Sequence, residues 1–365
     1  MGSLYIHIPF CLSKCTYCDF LSIPFDEGLA RRYVEALKRE IRLRGGRTLK
    51  TLYVGGGTPT VLGADALGEI FRTVGEYFEM SPGAEVTVEA NPGTLDAEKS
   101  RALADFGVNR LSIGVQSFDD AELRLLGRCH TAMEAVRAVE SSGFQNFSVD
   151  LIYGIPGQSM ESWRRTVELA LWAKPTHISA YELTAEQGTK FYEELMGGAL
   201  EIPPEPLVVE MFEYAVEAFA RGGLEHYEIS NFARRGFECR HNLNYWKRGE
   251  YIGLGAGAHS FEDGRRSRNT GYVFKYIEAL SKGMLPVEDS AAVTADEEIK
   301  EIIFLGLRMT RGLSVRKMGF LAEAAEELID EGLMTVEDNR LKLTRKGLLL
   351  SNAVVVSLFE KLGLE

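Results

Sequence analysis

The sequence predicts an α/β fold, a partial or near-complete β/α barrel followed by a small C-terminal α+β domain of winged-helix type. Two observations predict the barrel. Short runs rich in β-branched residues recur roughly every 30 residues, and the amphipathic stretches between them usually stop at glycine, the rhythm of successive βα units. Polar or glycine positions follow these runs, as they do where a parallel barrel gathers a ligand at the C-terminal ends of its strands. A third observation sets the C-terminal part apart: beyond about Thr294 the rhythm gives way to helices and a hairpin.

The expected strands are Leu4 to Ile8, Thr51 to Val54, Val86 to Glu89, Arg110 to Val115, Phe147 to Ile152 and His177 to Leu183. One intervening helix has Thr94 as its expected N-cap, an acidic first turn at Asp96 and Glu98, and Gly107 past its end. Another is expected from about Thr131 to Ser142, halted by Gly143. The strand ends lead in turn to Cys11, to Gly55-Gly56-Gly57-Thr58-Pro59, to Glu89-Ala90-Asn91-Pro92, to Gln116, to Asp150 and to Tyr181-Glu182. A purely structural barrel has no need of such residues there, so they read as one ligand site.

In the C-terminal part, helices are expected at Ala295 to Met309 and Leu321 to Asp330. Strands follow at Gly332 to Val336 and Leu341 to Thr344, folded about Asp338-Asn339. A winged helix invites a DNA-binding reading, but this segment is slightly acidic, which points to packing or partner docking.

Composition narrows the classes. The 365 residues are 45 % apolar and 10 % aromatic, enough for a large core and an appended module. With 41 Lys and Arg against 53 Asp and Glu, the net charge of -12 repels phosphate backbones, and no nucleic-acid partner is expected. No run approaches the ~20 apolar residues of a transmembrane segment. The start Met1-Gly2-Ser3-Leu4-Tyr5 lacks the features of a signal peptide, so a cytoplasmic location is expected. Five cysteines, three of them between Cys11 and Cys18, suit a reducing compartment and a metal better than a disulfide framework.

Cys11-x-x-x-Cys15-x-x-Cys18 can reach three irons of one 4Fe-4S cube from a single loop, leaving the fourth iron open to a small chelate such as the amino and carboxylate groups of methionine. Zinc held by His7 and the three cysteines is the alternative, although His7 falls inside a strand beyond Pro9. Cys129 reads as a small buried hydrophobe.

Tyr5-Ile6-His7-Ile8-Pro9-Phe10-Cys11 with Cys15-Thr16-Tyr17-Cys18-Asp19-Phe20 resembles the opening of the oxygen-independent coproporphyrinogen III oxidase-like family of radical S-adenosylmethionine (radical SAM) proteins. The resemblance continues through Gly55-Gly56-Gly57-Thr58-Pro59-Thr60, Glu89-Ala90-Asn91-Pro92, Gly114-Val115-Gln116-Ser117-Phe118, Gly127-Arg128 with His130, and Asp150-Leu151-Ile152-Tyr153-Gly154-Ile155-Pro156-Gly157. It implies a 4Fe-4S cluster on Cys11, Cys15 and Cys18 and S-adenosylmethionine beside it. Gly56, Gly57 and Thr58 would cradle the methionyl end, Glu89 would face the ribose or amino group, and Arg128 would pair with a carboxylate. Gln116 and Asp150 would lie near the cofactor, in some members near a second molecule of it, with Tyr5 and Tyr17 near the cluster and cofactor.

Within that family the chain resembles the HemW-type haem chaperones more than the oxidases. Phe20 stands where the oxidase has a further cysteine, only four residues precede Tyr5, and His241-Asn242-Leu243-Asn244-Tyr245-Trp246 matches the chaperone branch, as do Tyr227 to Phe232 and Tyr251 to Ser260. The resemblance implies a chaperone that binds haem and passes it to apo-haemoprotein acceptors, with a haem donor protein and a second copy of the chain as further partners. His241 is the axial-ligand candidate. Conversion of coproporphyrinogen III is not expected; the alternative function is a radical SAM enzyme acting on a tetrapyrrole, by dehydrogenation or by haem modification or cleavage. The domains expected are a core at 1–225, a segment at 226–293 that completes it and carries the haem region, and the C-terminal domain at 294–365.

Overall fold

The structure is a computed structural model that describes residues 2–141, 143–316 and 318–364. Six parallel strands form its centre: β1 (Gly2–Ile8), β2 (Thr48–Gly56), β3 (Glu79–Ala90), β4 (Arg110–Gln116), β5 (Phe147–Tyr153) and β6 (His177–Glu182). Each contains or overlaps its expected run. β7 (Glu225–Glu228) and β8 (Asn231–Ala233) extend one side antiparallel, while β9 (Tyr251–Leu254) joins β1 in parallel on the other. Antiparallel β10 (His259–Glu262), β11 (Arg265–Asn269) and β12 (Val287–Ala292) continue from β9. The sheet order is β12-β11-β10-β9-β1-β2-β3-β4-β5-β6-β8-β7, so the barrel is not closed by strand pairing. The partial barrel expected from the six βα units is the one found.

Strand alternation decides what each face does. Leu4, Ile6, Ile8, Leu52, Val54, Val86, Val88, Leu111, Ile113, Val149 and Leu151 are buried in one apolar cluster with outer-helix residues such as Leu37, Ile41, Leu67 and Ile70. These helices include α1 (Glu27–Arg44) and α2 (Ala64–Tyr77). Burying each aliphatic side chain contributes roughly 2 kcal/mol, which holds the helical layer to the sheet. The intervening positions are polar on every central strand: Tyr5 and His7, Thr51 and Tyr53, Glu85 and Glu89, Arg110 and Ser112, Ser148 and Asp150, His177 and Ser179. Parallel strands covered on both faces are usually apolar throughout. Here one face lines a polar interior.

Helix α3 (Ala97–Asp105) is capped by Asp96, whose side chain accepts from the Lys99 amide, and not by Thr94 as expected. Thr94 belongs to the preceding 3-10 turn and bonds Thr60 and the Asn91 carbonyl. Helix α4 (Ala132–Ser141) lies where expected; Ser142, its expected last residue, is outside the described residues, and Gly143 follows at φ +68°.

The floor of the barrel is covered by α7, to which α5 (Met160–Trp172) and α6 (Glu205–Arg221) are the nearest preceding long helices in the chain. α7 (Arg240–Trp246) carries the His241-to-Trp246 sequence. Glu85 of β3 accepts from the Arg240 and His241 amides, each at 3.0 Å, which caps the first turn of α7. The C-terminal part packs a second cluster, Ile303, Leu307, Leu313, Leu328, Met334, Leu341, Val354 and Leu358 among them. It begins with α8 (Ala295–Leu307), opened by a capping box between Thr294 and Glu297. β13 (Leu313–Ser314), β14 (Met334–Glu337) and β15 (Arg340–Leu343) form an antiparallel sheet, with the β14–β15 turn at Asp338 and Asn339, both at positive φ. The helix expected from Leu321 to Asp330 is two short helices, Gly319–Ala324 and Glu326–Asp330. A final pair, Arg345–Leu349 and Ser351–Lys361, completes the cluster.

Candidate cofactor pocket

The strand ends enclose a cavity of about 380 Å3. Its mouth carries Cys11, Cys15 and Cys18, its wall Gly56, Gly57, Thr58, Glu89, Asn91, Gln116 and Arg128, and its floor Arg110, Asp150, His177 and Asn242. Of the residues expected at the site, Tyr5 and His241 do not line it.

The cysteine loop is tied down at both ends. The Thr16 amide donates to the Leu126 carbonyl at 3.1 Å, the Ile23 amide to Pro9 at 2.8 Å and the Phe25 amide to Cys11 at 2.9 Å. His7 Nε2 bonds the Leu21 carbonyl at 2.9 Å, and its Nδ1 bonds the Tyr5 hydroxyl at 3.0 Å. Both nitrogens being engaged, His7 offers no lone pair to a zinc ion. Among the described residues no group of three His, Cys, Asp or Glu side chains converges on a single-ion position. The cysteines suit a larger group that takes one thiolate at each of three separate irons.

Beside the loop lies the glycine turn. Gly56 has φ +116°, a region L side chains rarely adopt, and a Cβ at Gly57 would sit 2.6 Å from the Phe10 carbonyl oxygen and 2.9 Å from the Cys11 sulfur. Only glycine allows that approach. The amides of the turn are already used: Gly56 donates to Glu89, Gly57 to the Ile8 carbonyl and Thr58 to the Phe10 carbonyl. The turn therefore offers a ligand close backbone contact and not free N–H donors.

Charged groups stand around this turn. Glu89 accepts from the Tyr53 hydroxyl at 2.7 Å and the Gly56 amide at 3.1 Å, and burial pushes its carboxyl up to about 7. Arg128 donates to Asn91 Oδ1 at 2.6 Å and to the Gly114 carbonyl, and stands 3.5 Å from the Cys15 sulfur. Asn91 in turn donates to Thr58 at 2.7 Å. Asp150 accepts from Ser112, Ser148 and Ser179 at 2.7 to 2.9 Å; burial raises its carboxyl and the three hydroxyls oppose that rise. Gln116 is a non-glycine residue at φ +67°, a strain of about 1–2 kcal/mol tolerated where function requires it. Tyr17 is on the wall; Tyr5 lies behind it, stacked on Tyr53 with centroids 6.2 Å apart.

His241 occupies the floor helix with 1 % exposure. Its Nδ1 bonds Thr51 at 2.7 Å and its Nε2 bonds Tyr245 at 2.9 Å, and burial with the nearby Arg110 charge pushes the imidazole down to about 3. It is a neutral ring with both nitrogens in use. His259 differs: it is exposed, and its ring has no hydrogen-bond partner among the described residues. Cys129, expected to be buried, is exposed, whereas Cys239 is buried.

Arg110, Tyr53, Asn242 and the three serines around Asp150 were not expected as site residues. The signal for those on strands is the period-two alternation, which puts Arg110 in phase with Ser112 and Gln116, and Ser148 in phase with Asp150.

Residues 5–170 match the radical SAM superfamily and residues 293–350 the HemN C-terminal domain. The chain is 38 % identical to the heme chaperone HemW of Bacillus subtilis (strain 168), over 97 % of this chain and 98 % of that one. It is 38 % identical to HemW of Lactococcus lactis, over 100 % and 98 %, and 39 % identical to HemW of Escherichia coli (strain K12), over 73 % of each chain. The coproporphyrinogen III oxidase HemN from Escherichia coli, described as a radical SAM enzyme, superposes with a TM-score of 0.83 over 98 % of this chain and 89 % of that one, at 22 % identity.

Proposed function

The chain belongs to the HemW family of the radical SAM superfamily, and from that premise we propose that it is a haem chaperone, binding haem and delivering it to apo-haemoproteins. In this reading the pocket holds a 4Fe-4S cluster on Cys11, Cys15 and Cys18, with S-adenosylmethionine at the fourth iron. One observation carries the cofactor half: three cysteines of one loop face a glycine turn, a half-buried arginine and a half-buried glutamate across a single cavity. The haem half rests on likeness to the named chaperones over nearly the whole chain.

When bound, a cluster of this type supplies an electron to the sulfonium of S-adenosylmethionine. The protein's own part is positional. Arg128 presents a half-buried cation for the methionyl carboxylate, Glu89 an acceptor for the amino group or ribose, and Gly56 and Gly57 admit the methionyl end without a Cβ in the way. Tyr5 and His7 brace the loop from behind, and Asp150, Gln116 and Tyr17 border the rest of the ligand.

For the haem iron we infer His259, not His241, as the axial donor. His241 would have to abandon Thr51 and Tyr245, whereas the His259 ring is exposed and carries no hydrogen bond among the described residues; the neighbouring Arg266 and Arg268 are paired with Glu301 and Glu288. Among the described residues no helix is long and apolar enough to cross a membrane, and a cytoplasmic site of action accords with that reading. The acceptor, any haem donor and self-association belong to the same proposal. Likeness to the oxidase carries the fold alone.

The test is anaerobic reconstitution followed by separate additions of haem and coproporphyrinogen III. Close to four irons and four sulfides per chain, haem absorbance, transfer to an apo-haemoprotein and no protoporphyrinogen are expected. Repeated turnover of coproporphyrinogen would replace the chaperone reading with the enzymatic one.

A further inference from the structure

The floor of the cavity contains a cation with nothing to bind. Arg110, at the start of β4, is 2 % exposed and lines the pocket, yet its guanidinium makes no hydrogen bond or ion pair among the described residues, and its Nε is buried without a partner. Buried arginines are ordinarily paired, because each unsatisfied donor forfeits its hydration. Asn242, reaching the same floor from α7, likewise has no side-chain hydrogen bond among the described residues.

The neighbouring carboxylates have other donors. Glu85 accepts from the Arg240 and His241 amides and lies 3.7 Å from the Cys239 thiol. Glu89 takes Tyr53 and the Gly56 amide, and Asp150 takes three serine hydroxyls. His177 is fully engaged, through Ser148 at 2.8 Å and Tyr227 at 2.8 Å. Burial opposes the charge on Arg110, and the neighbouring Cys239, Glu85, Tyr53 and Tyr227 sustain it, while the donors that face the cavity remain free. The arginine fork and a side-chain amide, both lining one polar floor, match the planar acceptor of a carboxylate.

We propose that the barrel floor is a second ligand subsite, in which Arg110 and Asn242 bind the carboxylate of a small organic acid or of a carboxylate-bearing arm that enters past the cysteine loop. The subsite rests on the reading that S-adenosylmethionine occupies the upper cavity. The two are separable, because that cofactor's own carboxylate is assigned to Arg128 near the mouth. Asn242 belongs to the sequence that distinguishes the chaperone branch, so an occupied floor would bear directly on the helix that also carries His241.

The probe is trifluoroacetate, followed by 19F NMR on the full-length, cluster-loaded protein with S-adenosylmethionine present, and trifluoroethanol serves as the uncharged control. Saturable broadening in the millimolar range is expected for the anion alone. Binding should weaken about tenfold or more in Arg110→Gln and less in Asn242→Leu, with Arg110→Lys intermediate. Binding of S-adenosylmethionine, measured by equilibrium dialysis on the same samples, should persist in every variant that retains the wild-type circular dichroism. Failure of the cofactor to bind the wild type would refute the upper-cavity reading on which the subsite stands. Retained cofactor binding with no saturable trifluoroacetate binding, or with equal binding by Arg110→Gln, would overturn the subsite itself and leave water as the floor's occupant.

Discussion

The Arg128 guanidinium stands 3.5 Å from the Cys15 sulfur, so a half-buried cation adjoins one of the three thiols. The same side chain reaches Asn91 and the Gly114 carbonyl, and thereby joins the cysteine loop to the ends of β3 and β4. Arg128→Leu would leave those acceptors and the Cys15 sulfur without their donor. It is expected to lower S-adenosylmethionine affinity more than tenfold and to cost about 2–4 kcal/mol of stability, with Arg128→Lys between. Equilibrium dialysis and urea melts measure the two effects, and unchanged affinity in Arg128→Leu would remove the carboxylate role.

Replacing any one of Cys11, Cys15 or Cys18 by alanine should abolish the visible charge-transfer absorbance and the bound iron, because no other cysteine lines the cavity. Cys129→Ala should keep both, since that thiol is exposed in the small groove beside the loop. Iron and sulfide assays on the four single variants decide it. A full cluster in Cys15→Ala would reassign the third ligand.

The strand ends were legible because residues there are chosen for chemistry and not for packing: Cys11, Gly56, Glu89, Gln116 and Asp150 all face one cavity. Arg110 was not legible in the same way. It opens β4 and so reads as an ordinary strand-initiating charge, until the twofold alternation with Ser112 places it inside. Thr94 lost the N-cap to Asp96 because an Asp side chain two residues on could reach the Lys99 amide, a choice propensity alone cannot rank. His241 stood as the axial-ligand candidate through the resemblance alone, and local sequence does not show that Thr51, 190 residues earlier, meets its ring.

Glu40 is buried among donors, accepting from the Tyr276 hydroxyl at 2.6 Å, the Asn269 amide at 2.7 Å and the Gly255 backbone at 2.8 Å, while burial lifts its carboxyl to about 7. In the unfolded chain it titrates near 4.5. Below that pH it is protonated in both states. Between about 4.5 and 7 only the unfolded form ionises, so its contribution to stability falls as pH rises, by about 3 kcal/mol in all, and is flat above 7. The buried histidines, with lowered pKa values, work in the opposite sense, so the difference between wild type and Glu40→Gln is the informative quantity. Urea midpoints from pH 5 to 8 should fall more steeply, or rise less, in the wild type. Parallel profiles would show that Glu40 titrates normally.

The haem ligand separates two readings that local sequence leaves together. His241 is held by Thr51 and Tyr245, and its removal strands a buried hydroxyl on either side, so His241→Ala is expected to lose about 2–4 kcal/mol of stability. If His259 is the axial donor, haem added to folded His241→Ala keeps the wild-type Soret position, and His259→Ala shifts it. Tyr245→Phe adds a sharper test, because it frees His241 Nε2 without removing the ring. Should His241 be the donor, that variant would load haem faster than wild type; with His259 as donor the loading rate is unchanged. Haem binding should also survive the Cys11→Ala, Cys15→Ala, Cys18→Ala triple change, since neither histidine lines the cysteine cavity. Transfer to an apo-haemoprotein is expected to be impaired in that triple variant, as a cluster and cofactor that favour one conformation would alter how readily haem leaves. Stopped-flow absorbance on these variants measures loading and transfer separately. An unshifted spectrum in His259→Ala together with a shifted one in His241→Ala would return the axial position to the floor helix and require α7 to move when haem binds.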